Sequence, residues 1–139
     1  MAERLAGNGD ALRGKVRVGV QADTAVTLPG CTHRVTQVYC SAMPIAYAPA
    51  PLPEWEPFAR LVLQAAYLAT FALAWRQART GGSRRLFLTR LGGGAFGNPP
   101  GWISEAIQMA LDRFSGCDLD VAIVSYGGAD PANRPLLRR

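Results

Sequence analysis

The clearest periodic signal is helical and lies towards the C-terminus. Ile103, Ala106, Ile107, Ala110, Leu111 and Phe114 recur at helical spacing, while Ser104, Glu105, Gln108, Asp112 and Arg113 fall on the other side. This predicts an amphipathic helix over 102–114. Residues 58–78 predict a second helix, apolar on most sides and stopped by Gly81 and Gly82. Its centre, 61–75, is apolar except for Gln64 and Thr70 and is bracketed by Arg60 and Arg76. That run is shorter than the roughly 20 residues a spanning helix needs, so a buried core helix is expected, with no membrane partner.

Period-two alternation marks residues 16–20, with an extension through 24–27, and residues 35–40, which are rich in β-branched and aromatic types. Pro29-Gly30 between them is a turn signal, so the two strands can pair across it. A short apolar run, 86–91, has the character of a buried parallel strand, and 119–126 is expected as the last strand. Pro44, Pro49, Pro51, Pro53 and Pro57 predict a stiff surface connection, with Pro57 opening the helix that follows.

From residue 35 onward the order is strand, helix, strand, helix, strand. This alternation predicts an α/β fold with a mixed, mostly parallel sheet, flanking helices and right-handed crossovers. A single domain over 15–128 is expected, with a flexible leader at 1–14 and a flexible tail at 129–139.

The candidate chemistry sits where the strand at 86–91 runs into Gly92, Gly93, Gly94, Ala95, Phe96, Gly97 and Asn98. Ligands of open parallel sheets bind beyond the carboxyl ends of the strands. Successive glycines let main-chain N–H groups converge on an anion, and the next helix adds its positive end. Pro99 and Pro100 lack N–H groups, so the donors must come from 93–98. Phe96 is placed to stack on a sugar or base, and Asn98 to cap the turn or bond a hydroxyl. The loop is not a P-loop, because no Lys-Ser/Thr follows the glycines, and its spacing differs from the dinucleotide fingerprint.

With these flanking elements, residues 35–126 resemble the C-terminal half of a macrodomain, the ADP-ribose-binding fold. Gly92, Gly94, Phe96 and Gly97 match that family's Gly-x-Gly-x-aromatic-Gly loop. Tyr126 stands where the family often places an aromatic residue beside the adenosine. The resemblance implies that the backbone of 92–97 wraps the diphosphate and distal ribose of ADP-ribose or a related nucleotide. Residues 1–34 carry no counterpart of the family's first half; Asp23 is an isolated carboxylate there. The fold is therefore expected to be reduced at the N-terminus, or completed by a second copy or a partner chain.

Composition adjusts this picture only in part. The net charge is +5, and Lys15 is the only lysine among 15 basic residues. Arginine suits bidentate contact with phosphate, although solvated surface explains the same bias. Arg84, Arg85 and Arg90 flank the strand before the loop. Charge alone supports a nucleic-acid partner, without a motif. Cys31, Cys40 and Cys117 are odd in number and show no metal spacing, which fits a reducing, cytoplasmic setting. His33 is the only histidine, which excludes a zinc site built from several imidazoles; no metal and no cofactor are expected. Ser41 lacks a nearby base, and no catalytic residue is assigned. Two other functions remain open on these residues: an ADP-ribosyl hydrolase, and an assembly protein that keeps the fold without ligand chemistry.

Overall fold

The structure, a computed structural model, describes residues 2–49 and 51–137. Met1 of the expected leader, Ala50 of the proline-rich connection, and Arg138 and Arg139 of the expected tail lie outside the described residues. Helix α1 (Ala2–Arg13) leads into strands β1 (Gly19–Ala25) and β2 (Arg34–Tyr39). Helix α2 (Leu52–Arg79), strand β3 (Arg85–Leu88), helix α3 (Pro100–Arg113) and strand β4 (Asp120–Ile123) follow.

The fold is mixed α/β. β1 and β2 form the antiparallel hairpin expected across Pro29-Gly30, with a bulge between Gln21 and Thr24. Asp23 lies in that bulge with φ 53°, and Arg34 Nε bridges its carboxylate at 2.9 Å. β3 and β4 pair in parallel through α3, as expected. The sheets differ from the expected continuous, mostly parallel one. They are two separate two-stranded pairs, and β2 does not bond to β3.

The alternation in β3 explains which face is covered. Leu86 and Leu88 are buried, whereas Arg85 and Phe87 are exposed. The inward residues meet α2 and α3, whose packed faces form the core around Leu63, Tyr67, Phe71, Ile103 and Ile107. Phe71 and Phe114 rings lie 5.6 Å apart, and Trp75 meets Phe114 at 6.3 Å. The amphipathic pattern of α3 matches this burial: Ile103, Ala106, Ile107 and Ala110 are fully covered.

Helix α2 begins at Leu52, ahead of the expected start at Pro57. Pro53 falls in the first turn, where an amide donor has no intrahelical acceptor, so the turn tolerates it. Pro57 removes one rung further in. By length and composition α2 can cross a membrane, and half of its most apolar window is buried inside the fold.

Both ends carry structure where loose segments are expected. α1 is helical with a break at Asn8, and Arg13 donates to Gln64 Oε1 on α2 at 2.8 Å. Near the C-terminus, Pro131–Leu136 forms a 3-10 turn capped by the Asp130 carboxylate, which accepts from Ala132 N–H. That turn docks because Leu136 and Asn133 become buried against the body of the fold.

Candidate functional site

Beyond β3 the chain turns through residues 89–99 into α3. Tyr67, on α2, fixes the exit of the strand. Its hydroxyl donates to Thr89 O at 2.8 Å and accepts from Leu91 N–H at 2.9 Å. Burial pushes this phenol up to about 12, against the pull of the Leu91 hydrogen bond and of Arg90.

The glycine loop is closed by its own main chain. Gly92 has φ 77°, and its carbonyl accepts from Asn98 N–H at 3.0 Å. Gly97 has φ 70° and donates to Gly94 O at 3.0 Å. Gly93 N–H is held by Arg90 O, and Ala46 N–H by Phe96 O. A methyl group on Gly92 would stand 2.4 Å from Ala42 Cβ, so this glycine is needed for close approach as well as for its backbone angle. The N–H groups of Gly92, Gly94, Ala95 and Phe96 have no hydrogen-bond partner among the described residues. Gly93, Gly94 and Ala95 are exposed. α3 then begins at Pro100 without a side-chain cap; Pro99 and Pro100 carry no N–H and Pro99 O takes the Trp102 amide at 3.0 Å, so Gly101 N–H is the open donor of its first turn.

Asn98 is 2% exposed and faces inward. Its Nδ2 donates to Met43 O at 2.8 Å and to Gly92 O at 3.3 Å, while its Oδ1 is buried without a partner. It ties the loop to the segment after β2 and does not present a side chain to solvent. Phe96 is half-buried and packs against the core. Tyr126 is fully exposed beyond β4, at the same carboxyl end as the glycine loop. Gly127, with φ 78°, makes the turn that follows it.

Arg90, which the sequence assigns to a strand flank, is the hub behind this loop. Its guanidinium donates to Pro100 O at 2.8 Å, Ser104 Oγ at 3.1 Å and Asn133 Oδ1 at 3.0 Å. Its Nε lies 4.0 Å from the Asp130 carboxylate. Arg84 and Arg85 are paired with Asp118 and Asp120 at the opposite end of the parallel pair. Those two arginines therefore stand away from the loop. Ser41 Oγ donates to its neighbour's carbonyl, Ala42 O, at 3.0 Å. Among the described residues no group of three His, Cys, Asp or Glu side chains gathers to hold a metal.

A separate concavity lies elsewhere. A cleft of about 850 Å³ separates the β1–β2 hairpin from β3 and is floored by α2. It meets the glycine loop only at its start, through Thr89 and Leu91. Thr36 and Val38 of β2, and Cys40 just beyond it, face the cleft, with Gln77 Nε2 donating to Thr36 Oγ1 at 2.6 Å. Burial pushes the Cys40 thiol up, partly offset by a hydrogen bond with Thr70. The alternation of residues 35–40 identifies the face that these side chains share. Nothing local indicates that β2 and β3 stand apart.

No protein-family model matches the chain, and no curated protein or solved structure matches it.

Proposed function

We propose that the glycine loop binds the diphosphate of ADP-ribose or a related nucleotide. The observation that carries this reading is the set of four unpartnered main-chain N–H groups at Gly92, Gly94, Ala95 and Phe96. They lie at the carboxyl end of a parallel strand and immediately before an uncapped helix. Such donors favour an anion, and a diphosphate offers enough oxygen acceptors to engage several of them. The Arg90 guanidinium behind the loop adds positive potential. Tyr126 supplies an exposed ring at the same end for a base or ribose.

On this reading β3–α3–β4 corresponds to the ligand-bearing half of a macrodomain-like fold, within a sheet that is mostly parallel when complete. Asn98 and Phe96 then support the loop from inside, and the ligand contacts come from the backbone of 92–96. Gly97 sets the return of the loop. Hydrolysis of an ADP-ribosyl bond needs a base held near a water, and the described loop contains only main-chain donors, Phe96 and Asn98. Binding is therefore the function argued for.

Isothermal titration with ADP-ribose, ADP and inorganic pyrophosphate tests the proposal. Gly94 is the informative position, because a methyl group added there would have nothing within 4 Å and the backbone angle is ordinary. Gly94→Asp places a negative charge among the donors without disturbing the packing. It is expected to weaken ADP-ribose binding by about tenfold or more, equivalent to about 1.4 kcal/mol, with an unchanged melting temperature. Absence of heat with all three ligands, using folded protein, overturns the reading.

A further inference from the structure

The hairpin and the parallel pair both border the cleft above α2 without joining, so each retains an unpaired edge. On β3 the hydrogen bonds to β4 use alternate residues. Asp120 N–H donates to Arg84 O at 2.9 Å, and Val124 N–H donates to Leu88 O at 2.8 Å. Peptide groups along a strand alternate between its two edges, so those of Arg85, Phe87 and Thr89 turn towards the cleft. Each of the outer two has one of its groups engaged. Arg85 N–H is taken by Ser83 Oγ at 3.1 Å, and Thr89 O accepts from Tyr67 at 2.8 Å. Between them, Phe87 N–H and C=O have no partner among the described residues.

An unpaired strand edge is a template for another strand. The cleft beside this one is bordered by a second strand pair, and its α2 floor sets the short side chains of Thr70 and Ala74 among the longer Tyr67, Leu73 and Gln77. The charges at its border also select an occupant. Arg34 and Arg85 line it against one carboxylate, Asp23, which Arg34 already bridges at 2.9 Å. The partner of Arg85 is Asp120, on the strand beyond, and that bridge is solvent-exposed and weak. The residues lining the cleft therefore carry one positive charge in excess, and the carboxylates beside them are each already held by an arginine.

The geometry points to this cleft as the docking groove for an acidic polypeptide segment in extended conformation, added to β3 through Phe87 N–H and C=O. Alternate small apolar residues of that segment lie over Thr70 and Ala74. The intervening carboxylates meet Arg85. This groove is distinct from the loop proposed to bind phosphate and stands whether or not nucleotide binds there.

The test uses the full chain and a blocked, fluorescein-labelled peptide of about seven residues that alternates valine with glutamate, the length of a short strand. Saturable anisotropy is expected, together with amide exchange at Phe87 slowed by about tenfold or more. A valine–lysine peptide should bind more weakly, and a backbone N-methylated valine–glutamate peptide should not bind. Phe87→Pro deletes the edge donor but no donor of the β3–β4 ladder, and proline is tolerated on strand edges. It should abolish binding while the β4 amides stay protected. Arg85→Glu, the second variant, should invert the preference between the glutamate and lysine peptides.

No saturable binding to folded protein overturns the proposal. So does equal binding of the N-methylated peptide, or unchanged binding by folded Phe87→Pro. A concentration-dependent dimer in the absence of peptide, lost in Phe87→Pro, overturns it in favour of a second copy of this chain at the same edge.

Discussion

Tyr67 and the glycines after β3 show how single atoms hold the candidate site. The Tyr67 hydroxyl satisfies both Thr89 O and Leu91 N–H from within the core. Tyr67→Phe removes both of these bonds and leaves Leu91 N–H and Thr89 O with only their mutual bond of 3.0 Å, and is expected to lower stability by about 1 kcal/mol, read from urea unfolding. The same residue gives a pH signature. Its ordinary value is near 10 and burial raises it to about 12 in the fold. The contribution is fully present below pH 10. Between the two values the unfolded chain loses a proton that the folded chain keeps, so stability falls as pH rises. Tyr67→Phe should flatten that alkaline slope. Gly92 and Gly94 differ equally plainly. Gly92→Ala combines a positive φ with a 2.4 Å approach to Ala42 and should cost about 2 kcal/mol or more, whereas Gly94→Ala, with open space, should stay within about 0.5 kcal/mol. Neighbouring glycines in one sequence run therefore have separate roles, and the run itself does not distinguish them.

At the scale of elements, Arg90 joins three pieces: the end of β3, the first turns of α3 and the 3-10 turn Pro131–Leu136. Its fork reaches three acceptors in fixed directions, which an ammonium group cannot reproduce. Arg90→Lys is expected to speed amide exchange across 131–136 and to cost about 1–3 kcal/mol in urea unfolding. The helices were legible because their apolar spacing is long and regular; α3 buries the residues that spacing selects. The start of α2 was less legible, since proline reads as a breaker unless its place in the first turn is known. The helix and 3-10 turn near the ends are less legible for a related reason. Short polar segments rich in glycine, proline or arginine carry little periodicity. Their order comes from single long-range contacts, such as Arg13 with Gln64 and Arg90 with Asn133.

Across the whole molecule, α2 and α3 cover one face of the parallel pair and leave Phe87 and Val124 exposed on the other. Parallel strands are usually covered on both faces, and this pair is covered on one. The hairpin is less firmly attached than the rest. Most of β1 is exposed, and Gln77 with Thr36 ties the hairpin to α2. Amides of Gly19–Ala25 and Arg34–Tyr39 should therefore exchange faster than those of Pro100–Arg113. Gln77→Ala should accelerate the hairpin further and leave β3 unchanged.

Local patterns along the chain account for the hairpin, the two main helices, the β3–α3–β4 unit and the position of a glycine loop at its carboxyl end. Each follows from side-chain periodicity or from turn chemistry that acts over a few residues. Tertiary structure alone decided which N–H groups of that loop remain free, that Asn98 and Phe96 turn inward, and that β2 and β3 leave a cleft instead of pairing. Strand partnership and hydrogen-bond satisfaction depend on groups distant in sequence. Their alternatives carry the same local pattern, and only the packed chain distinguishes them.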